Sequence, residues 1–493
     1  MLTRFLEIFL WRDNGIATAG VALTLAGAPY LLKATLQVCL ADGEGLMKAL
    51  EWRGAGSIKP CFFHANVLRN NCILTPVCAD FVEVDCADTR MFRSTDARNL
   101  YDDVDSVVEV RRKVAAGTAA DAMLTDVMYV TGMAPSGHGL LSHPRVRSDI
   151  DVLRVFHVDW AHTCLQDGTM TNELSCFVEA CRQKTQLGAR FWETQLRSGW
   201  SFPFHTKVKQ RALHRMFNEY KIPSDDQVHT VKGSITDILG VYSLVRHIVE
   251  TTPELNRPEL DLERASFFKG CSVVDSMLAA KRLQVSLLEA AAYVREANVQ
   301  HLQAHVAAYG KRKVKPKNHW AFDVADAMER DDEWMFLPDA LSLERMHITV
   351  KQIARSVKNT SEFERSALST LCLVHKQRLD DVGAKDGLRG PTTTIAEGVT
   401  LGRRIEIDNV RISEGDVVLR CRGSVAIGVV IACAKALDEH HLVVEELEAP
   451  QVLTPHSYKA GLNSTRTAIW QAFDVQVALA WYEGEPGSLT ALV

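Results

Sequence analysis

The spacing of apolar and polar positions changes character along this chain. Between residues 30 and 90 short apolar runs alternate with Gly and Cys, and residues 30–40 form a strand-length stretch that ends at Ala41-Asp42-Gly43. An acid just past a strand end is well placed for chemistry. From about Ser94 to Arg312 apolar residues recur at intervals of three and four, the period of amphipathic helices. Residues 234–245 show it plainly, with Ser234 and Asp237 as a Ser-x-x-Asp helix start, and the longest run, residues 279–309, holds neither Gly nor Pro. Three Gly and one Pro within residues 383–391 then break any periodic element. Beyond them the runs turn β-like: Ile405-Glu406-Ile407, Val417-Val418-Leu419-Arg420-Cys421 and Val425-Ala426-Ile427-Gly428-Val429-Val430-Ile431. The second and third of these read as adjacent strands joined by Arg422-Gly423-Ser424.

The expected fold class is therefore α+β. Residues 1–92 form an α/β segment, 93–312 a helical block, 313–382 a further helical part, and 391–493 a small β-barrel-like domain. With 493 residues, 47% hydrophobic and 24% charged, the chain can bury two or three cores. No apolar run reaches the ~18 residues of a membrane span, and the opening Phe5-Leu6-Glu7-Ile8-Phe9-Leu10-Trp11 is short and interrupted by an acid, so a soluble, intracellular protein is expected. Twelve cysteines scattered from Cys39 to Cys433 fit reduced thiols in cytosol or nucleus.

The net charge of −5 leaves nucleic-acid contact to local basic patches, and residues 311–317 supply five cations in seven positions. A solvated loop is the plain alternative for that segment. Phosphate-loop, His-Glu-x-x-His and Gly-x-Ser-x-Gly signatures are absent. Four short constellations remain. Asp42 is followed nineteen residues later by Cys61-Phe62-Phe63-His64, which reads either as a zinc site or as a buried thiol beside a satisfied imidazole. Next come Asp159-Trp160-Ala161-His162 after an apolar strand, Lys317-Asn318-His319-Trp320, and Ser342 to Lys351, a helical stretch carrying Glu344, Arg345 and Lys351.

Taken in order, Ala41-Asp42, Cys61-x-x-His64, Asp159-x-x-His162, Lys315-Pro316-Lys317-Asn318-His319 and Glu344-Arg345 with Lys351 resemble the motif series of CACTA-type DNA transposases. The resemblance implies a partial ribonuclease-H-like core with a large helical insertion, in which Asp42 and Glu344 are the second and third acids of a triad holding Mg²⁺ or Mn²⁺. Asp159 and His162 would be a signature near that site, and Cys61 with His64 would bind Zn²⁺. Lys311, Arg312, Lys313, Lys315, Lys317, Arg345 and Lys351 would contact DNA in the nucleus, with homo-oligomerisation left open. Two departures qualify this. Only 41 residues precede Asp42, so the first acid is missing from the expected place, and a Cys-x-x-Cys has become Cys61-x-x-His64. A decayed transposase with little or no strand-cleaving activity is the leading expectation. The competing one, from another class, is a domesticated, non-catalytic nuclear interaction protein with the β-domain as a reader.

Overall fold

A computed structural model describes most of residues 3–330 and 387–492, apart from 202–230 and short stretches elsewhere; between them it describes only residues 353, 366, 369, 370 and 373. Glu344, Arg345 and Lys351 therefore lie outside the described residues. The chain divides into two compact units, Met1–Thr169 with Ala265–Ala340, and Met170–Arg264 with Leu341–Val493. The molecule is α+β, and no helix among the described residues is long and apolar enough to cross a membrane.

In the first unit an antiparallel hairpin, β1 (Val21–Leu25) and β2 (Ala28–Leu32), precedes β3 (Cys39–Ala41). The strand expected over residues 30–40 is thus split between β2 and β3. Asp42 then caps α1 (Gly43–Leu50), whose Leu46 and Leu50 are buried. Short parallel strands β4 (Val67–Leu68) and β5 (Val82–Glu83) follow, and then α2 (Ala97–Ala115) and α3 (Asp121–Thr131), which pack on each other. The apolar run Phe156–Val158, buried throughout, forms β6, which leads directly into α4 (Trp160–Cys164). Two further helices, α5 (Leu287–Tyr309) and α6 (Pro316–Arg330), lie along each other, and α6 also touches α4 and β6. The helical run expected over residues 279–309 is not continuous. Ser286, accepting from the amide of Glu289, starts α5 afresh after a helix that ends at Arg282.

The second unit contains the helix Ile235–Thr251, opened by a capping box between Ser234 and Asp237 as its sequence suggests. Among the described residues its ten strands are β7 (Gly387–Ala396), β8 (Val399–Ile407), β9 (Val410–Ser413), β10 (Val417–Arg420), β11 (Ala426–Ala436), β12 (Glu439–Thr454), β13 (Ser457–Gln471), β14 (Val475–Val477), β15 (Ala480–Glu483) and β16 (Ser488–Leu492). They form one antiparallel sheet in the order β14-β10-β11-β12-β13-β16-β15, with β8 beside the far half of β11 and carrying β7 and β9. Strands β10 and β11 pair as expected, Val417 opposite Val429 through Arg420 opposite Ala426.

The barrel-like expectation is corrected: this sheet is not a closed barrel. The reason is visible in Val417-Val418-Leu419. Val418 belongs to a core with Ile405, Val430, Leu442 and Trp470, whereas Val417 and Leu419 belong to another with Ile427, Leu447 and Leu489. Successive residues of a strand point to opposite faces, so both faces of the sheet are buried at β10. An unbroken apolar run is the pattern of a strand covered on both sides.

Candidate functional site

Strands β3 and β6 pair in parallel, Cys39 opposite Phe156, Leu40 opposite His157 and Ala41 opposite Val158. Their next residues, Asp42 and Asp159, therefore emerge side by side from one edge, and the amide of Asp159 donates to the Ala41 carbonyl at 3.0 Å. Both acids start helices. Asp42 Oδ1 accepts from the amide of Gly45 at 2.6 Å, and Asp159 Oδ2 accepts from the amide of His162 at 2.9 Å and from its Nδ1 at 2.6 Å. A carboxylate is favourable at such a position because the first helical amides lack partners. Asp159 is fully buried, and the His162 side chain is 13% exposed.

Lys317 joins this edge from α6. Its Nζ donates to the carbonyls of His162 and Gln166, at 3.0 Å each. Burial lowers its pKa, while the nearby Asp167 and Asp42 act in the opposite direction.

Two residues further along α6 a second constellation begins. Cys61 and His64, from the loop before β4, meet His319 and Asp323, four residues apart on one face of the helix. Cys61 Sγ lies 3.6 Å from His64 Nδ1 and 3.4 Å from Asp323 Oδ1. His64 Nδ1 lies 3.1 Å from His319 Nε2 and 2.9 Å from Asp323 Oδ1, and His319 Nε2 is 3.9 Å from that same oxygen. The four residues are at most 5% exposed. Cys61 Sγ also accepts from the amides of Phe63 and His64 at 3.3 Å each.

Burial and neighbouring charges shift the titration of three of these residues. Burial and the charge of Asp323 push the Cys61 thiol up to about 12, and burial holds the His319 imidazole down at about 4. Burial opposes charge on His64, but hydrogen bonds to Asp323, Asp326 and Cys61 outweigh it and raise its pKa far above the imidazole range. A protonated His64 thus bridges the carboxylates of Asp323 and Asp326 when nothing else does. Behind it, His64 Nε2 lies 3.2 Å from Asp326 Oδ2, and Arg295 of α5 bridges Asp326 and Glu329.

Two contacts fasten the clusters together. Trp320 Nε1 donates to the Pro60 carbonyl at 2.8 Å, next to Cys61. The Trp320 ring also lies so close to Gly43 that a Cβ there would fall 2.6 Å from it. Below, Phe322 and Leu302 pack with Val67, Val82 and Val314, and a fully buried Phe contributes about 2–3 kcal/mol.

The buried cluster can hold a metal ion. Its donor atoms all lie within 4.8 Å of one another, and the separations of 2.9–3.9 Å that link His64 to the other three and Asp323 to Cys61 and His319 bracket the roughly 3.3–3.5 Å edges of a tetrahedron with Zn–N near 2.0 Å and one Zn–S near 2.3 Å. Asp323 is absent from the residues singled out by sequence. Its signal was the His-x-x-x-Asp spacing of His319 and Asp323, one helical turn.

The basic segment is used unevenly. Lys311 Nζ pairs with Asp85 at 3.0 Å, and its neighbours Arg312 and Lys315 are exposed. Lys313 is half-buried. No protein-family model matches this chain, and no curated protein or solved structure is significantly similar to it.

Proposed function

We propose that this chain is a transposon-derived, DNA-binding nuclear protein, related to the catalytic core of CACTA-type transposases and weak or inactive in strand cleavage. The observation that supports it is convergence. Asp42, Cys61 with His64, Asp159 with His162, and Lys317 with His319 are far apart in sequence and resemble successive motifs of one family, and they lie together in one unit. A chance assortment of weak motifs has no reason to assemble in this way.

In this reading Cys61, His64, His319 and Asp323 hold Zn²⁺. One thiolate and one carboxylate neutralise a divalent ion, four donors complete its shell, and burial leaves no open position, which is the pattern of a structural site. The ion would tie the Cys61 loop to α6. Asp42, at the strand edge, would be a carboxylate ligand for Mg²⁺ or Mn²⁺. When bound, such ions stabilise the attacking and leaving oxygens of phosphoryl transfer. Asp159 is committed to His162, so its role is to shape the turn beside Asp42.

DNA contact falls to the exposed Arg312 and Lys315, with Lys313, Arg345 and Lys351. The test combines metal analysis of the purified chain with duplex binding at several salt concentrations. One equivalent of zinc is expected, together with affinity for DNA of any sequence that falls steeply with salt. The double variant Arg312→Ala, Lys315→Ala should make the salt slope shallower by up to about two, near one per lost phosphate contact. Binding without salt dependence, or none, would favour the non-catalytic interaction protein.

A further inference from the structure

The first turn of α6 reaches three sequence-distant motifs at once. Lys317 bonds the carbonyls of His162 and Gln166, His319 is one of the metal donors, and Trp320 bonds the Pro60 carbonyl while lying against Gly43, the neighbour of Asp42. Lys317 is the unexpected member. A cation in the first turn of a helix stands at the positive end of the helix dipole, and an ammonium turned inward gives up hydration that an apolar side chain would not need. Packing alone would select Met or Leu here.

Its partners explain the choice. The helix α4, five residues long, is capped at its start by Asp159, and Lys317 reaches one carbonyl inside it, that of His162, and one just beyond its end, that of Gln166. Lys317 supplies them with a charged donor, so the short helix is held at both ends. The same helix α6 that presents Lys317 presents His319 two residues later and Asp323 one turn on.

We propose that Lys317 is a positioning residue that fixes the Asp159–His162 turn against Asp42, so that the metal centre, acting through α6, sets the geometry of the acidic strand edge. This rests on the reading of Cys61, His64, His319 and Asp323 as a zinc site. Zinc at those residues immobilises the first turn of α6, and that turn aims the ammonium of Lys317. Without zinc the turn is freer, and the two carbonyls lose a fixed donor.

Hydrogen–deuterium exchange of the full chain, zinc-loaded and after chelation, tests this. In zinc-loaded Lys317→Met the amides of residues 162–166 should exchange roughly ten- to a hundred-fold faster than in the wild type, the size expected for charge-assisted hydrogen bonds that are lost. Zinc stoichiometry and protection in the middle of α5 should stay as in the wild type. Chelation should deprotect residues 162–166 in the wild type and add little in Lys317→Met. Lys317→Arg, which keeps the charge, guards against a variant that fails to fold and should retain most of the protection. Wild-type protection in zinc-loaded Lys317→Met overturns the proposal. Loss of protection in that variant with no effect of chelation overturns the coupling to zinc alone. A wild-type chain that takes up no zinc overturns the zinc reading and the coupling with it.

Discussion

Asp326 stands directly behind His64, its Oδ2 3.2 Å from Nε2. That contact leaves Nδ1 turned toward Cys61, His319 and Asp323. Carboxylates behind metal-bound imidazoles fix the ring and raise its basicity, and removing one typically weakens metal binding by about 10–100-fold. Arg295 makes Asp326 more rigid by bridging it to Glu329. Asp326→Asn should therefore keep one equivalent of zinc but release it to a chelator about ten-fold faster or more. Equal release rates in variant and wild type would show that His64 needs no outer partner.

A second expectation follows from the protons at the same site. Burial raises the Cys61 thiol to about 12, and the carboxylates of Asp323 and Asp326 hold His64 protonated against its own burial. A metal bound by thiolate and neutral imidazole displaces both protons. The affinity for zinc should thus rise with pH, by about two decades per pH unit near neutrality. Calorimetry in buffers of different ionisation enthalpy counts the protons released. A count near zero would mean that these two residues are not the ligands.

The sequence made parts of this site legible and hid others. Cys61, His64 and His319 stood out as short motifs because Cys and His are rare and their local spacing is tight. Asp323 and Asp326 fall four and seven residues after His319, a helical face that is readable only once residues 316–330 are taken as a helix. Asp42 and Asp159 became neighbours through a parallel pairing of strands of three residues each. Parallel partners are joined by long connections, so nothing local announces them. The β-type runs were visible in the second unit, and the pairing of β10 with β11 followed from them. The barrel expectation failed because strands apolar on both faces look alike whether a sheet closes or folds over itself. Lys317 was legible as a cation and was read with its exposed neighbours. Its inward turn depends on α4, which no local pattern places beside it.

The last expectation concerns the second unit, where Asp416 opens β10 from a tight turn with Gly415 at φ +87. Its Oδ2 accepts from the amide of Ser413 at 2.8 Å, but only 5% of the residue is exposed. Burial raises its pKa to about 6, from 3.8, and the Ser413 amide offsets only part of this. The sign is the reverse of a salt-bridged acid. The native state binds the proton more tightly than the unfolded state, so stability is fully present below about pH 4 and is lost as pH rises to about 6. The shift corresponds to at most about 3 kcal/mol. Asp416→Asn keeps an oxygen for Ser413 and cannot ionise. Unfolding in urea, followed through the buried Trp470, should show the variant more stable than wild type at pH 7.5, with the difference vanishing or reversing near pH 4. A stability difference that stays constant between pH 4 and 7 would show that Asp416 ionises in the folded chain as freely as in the unfolded one.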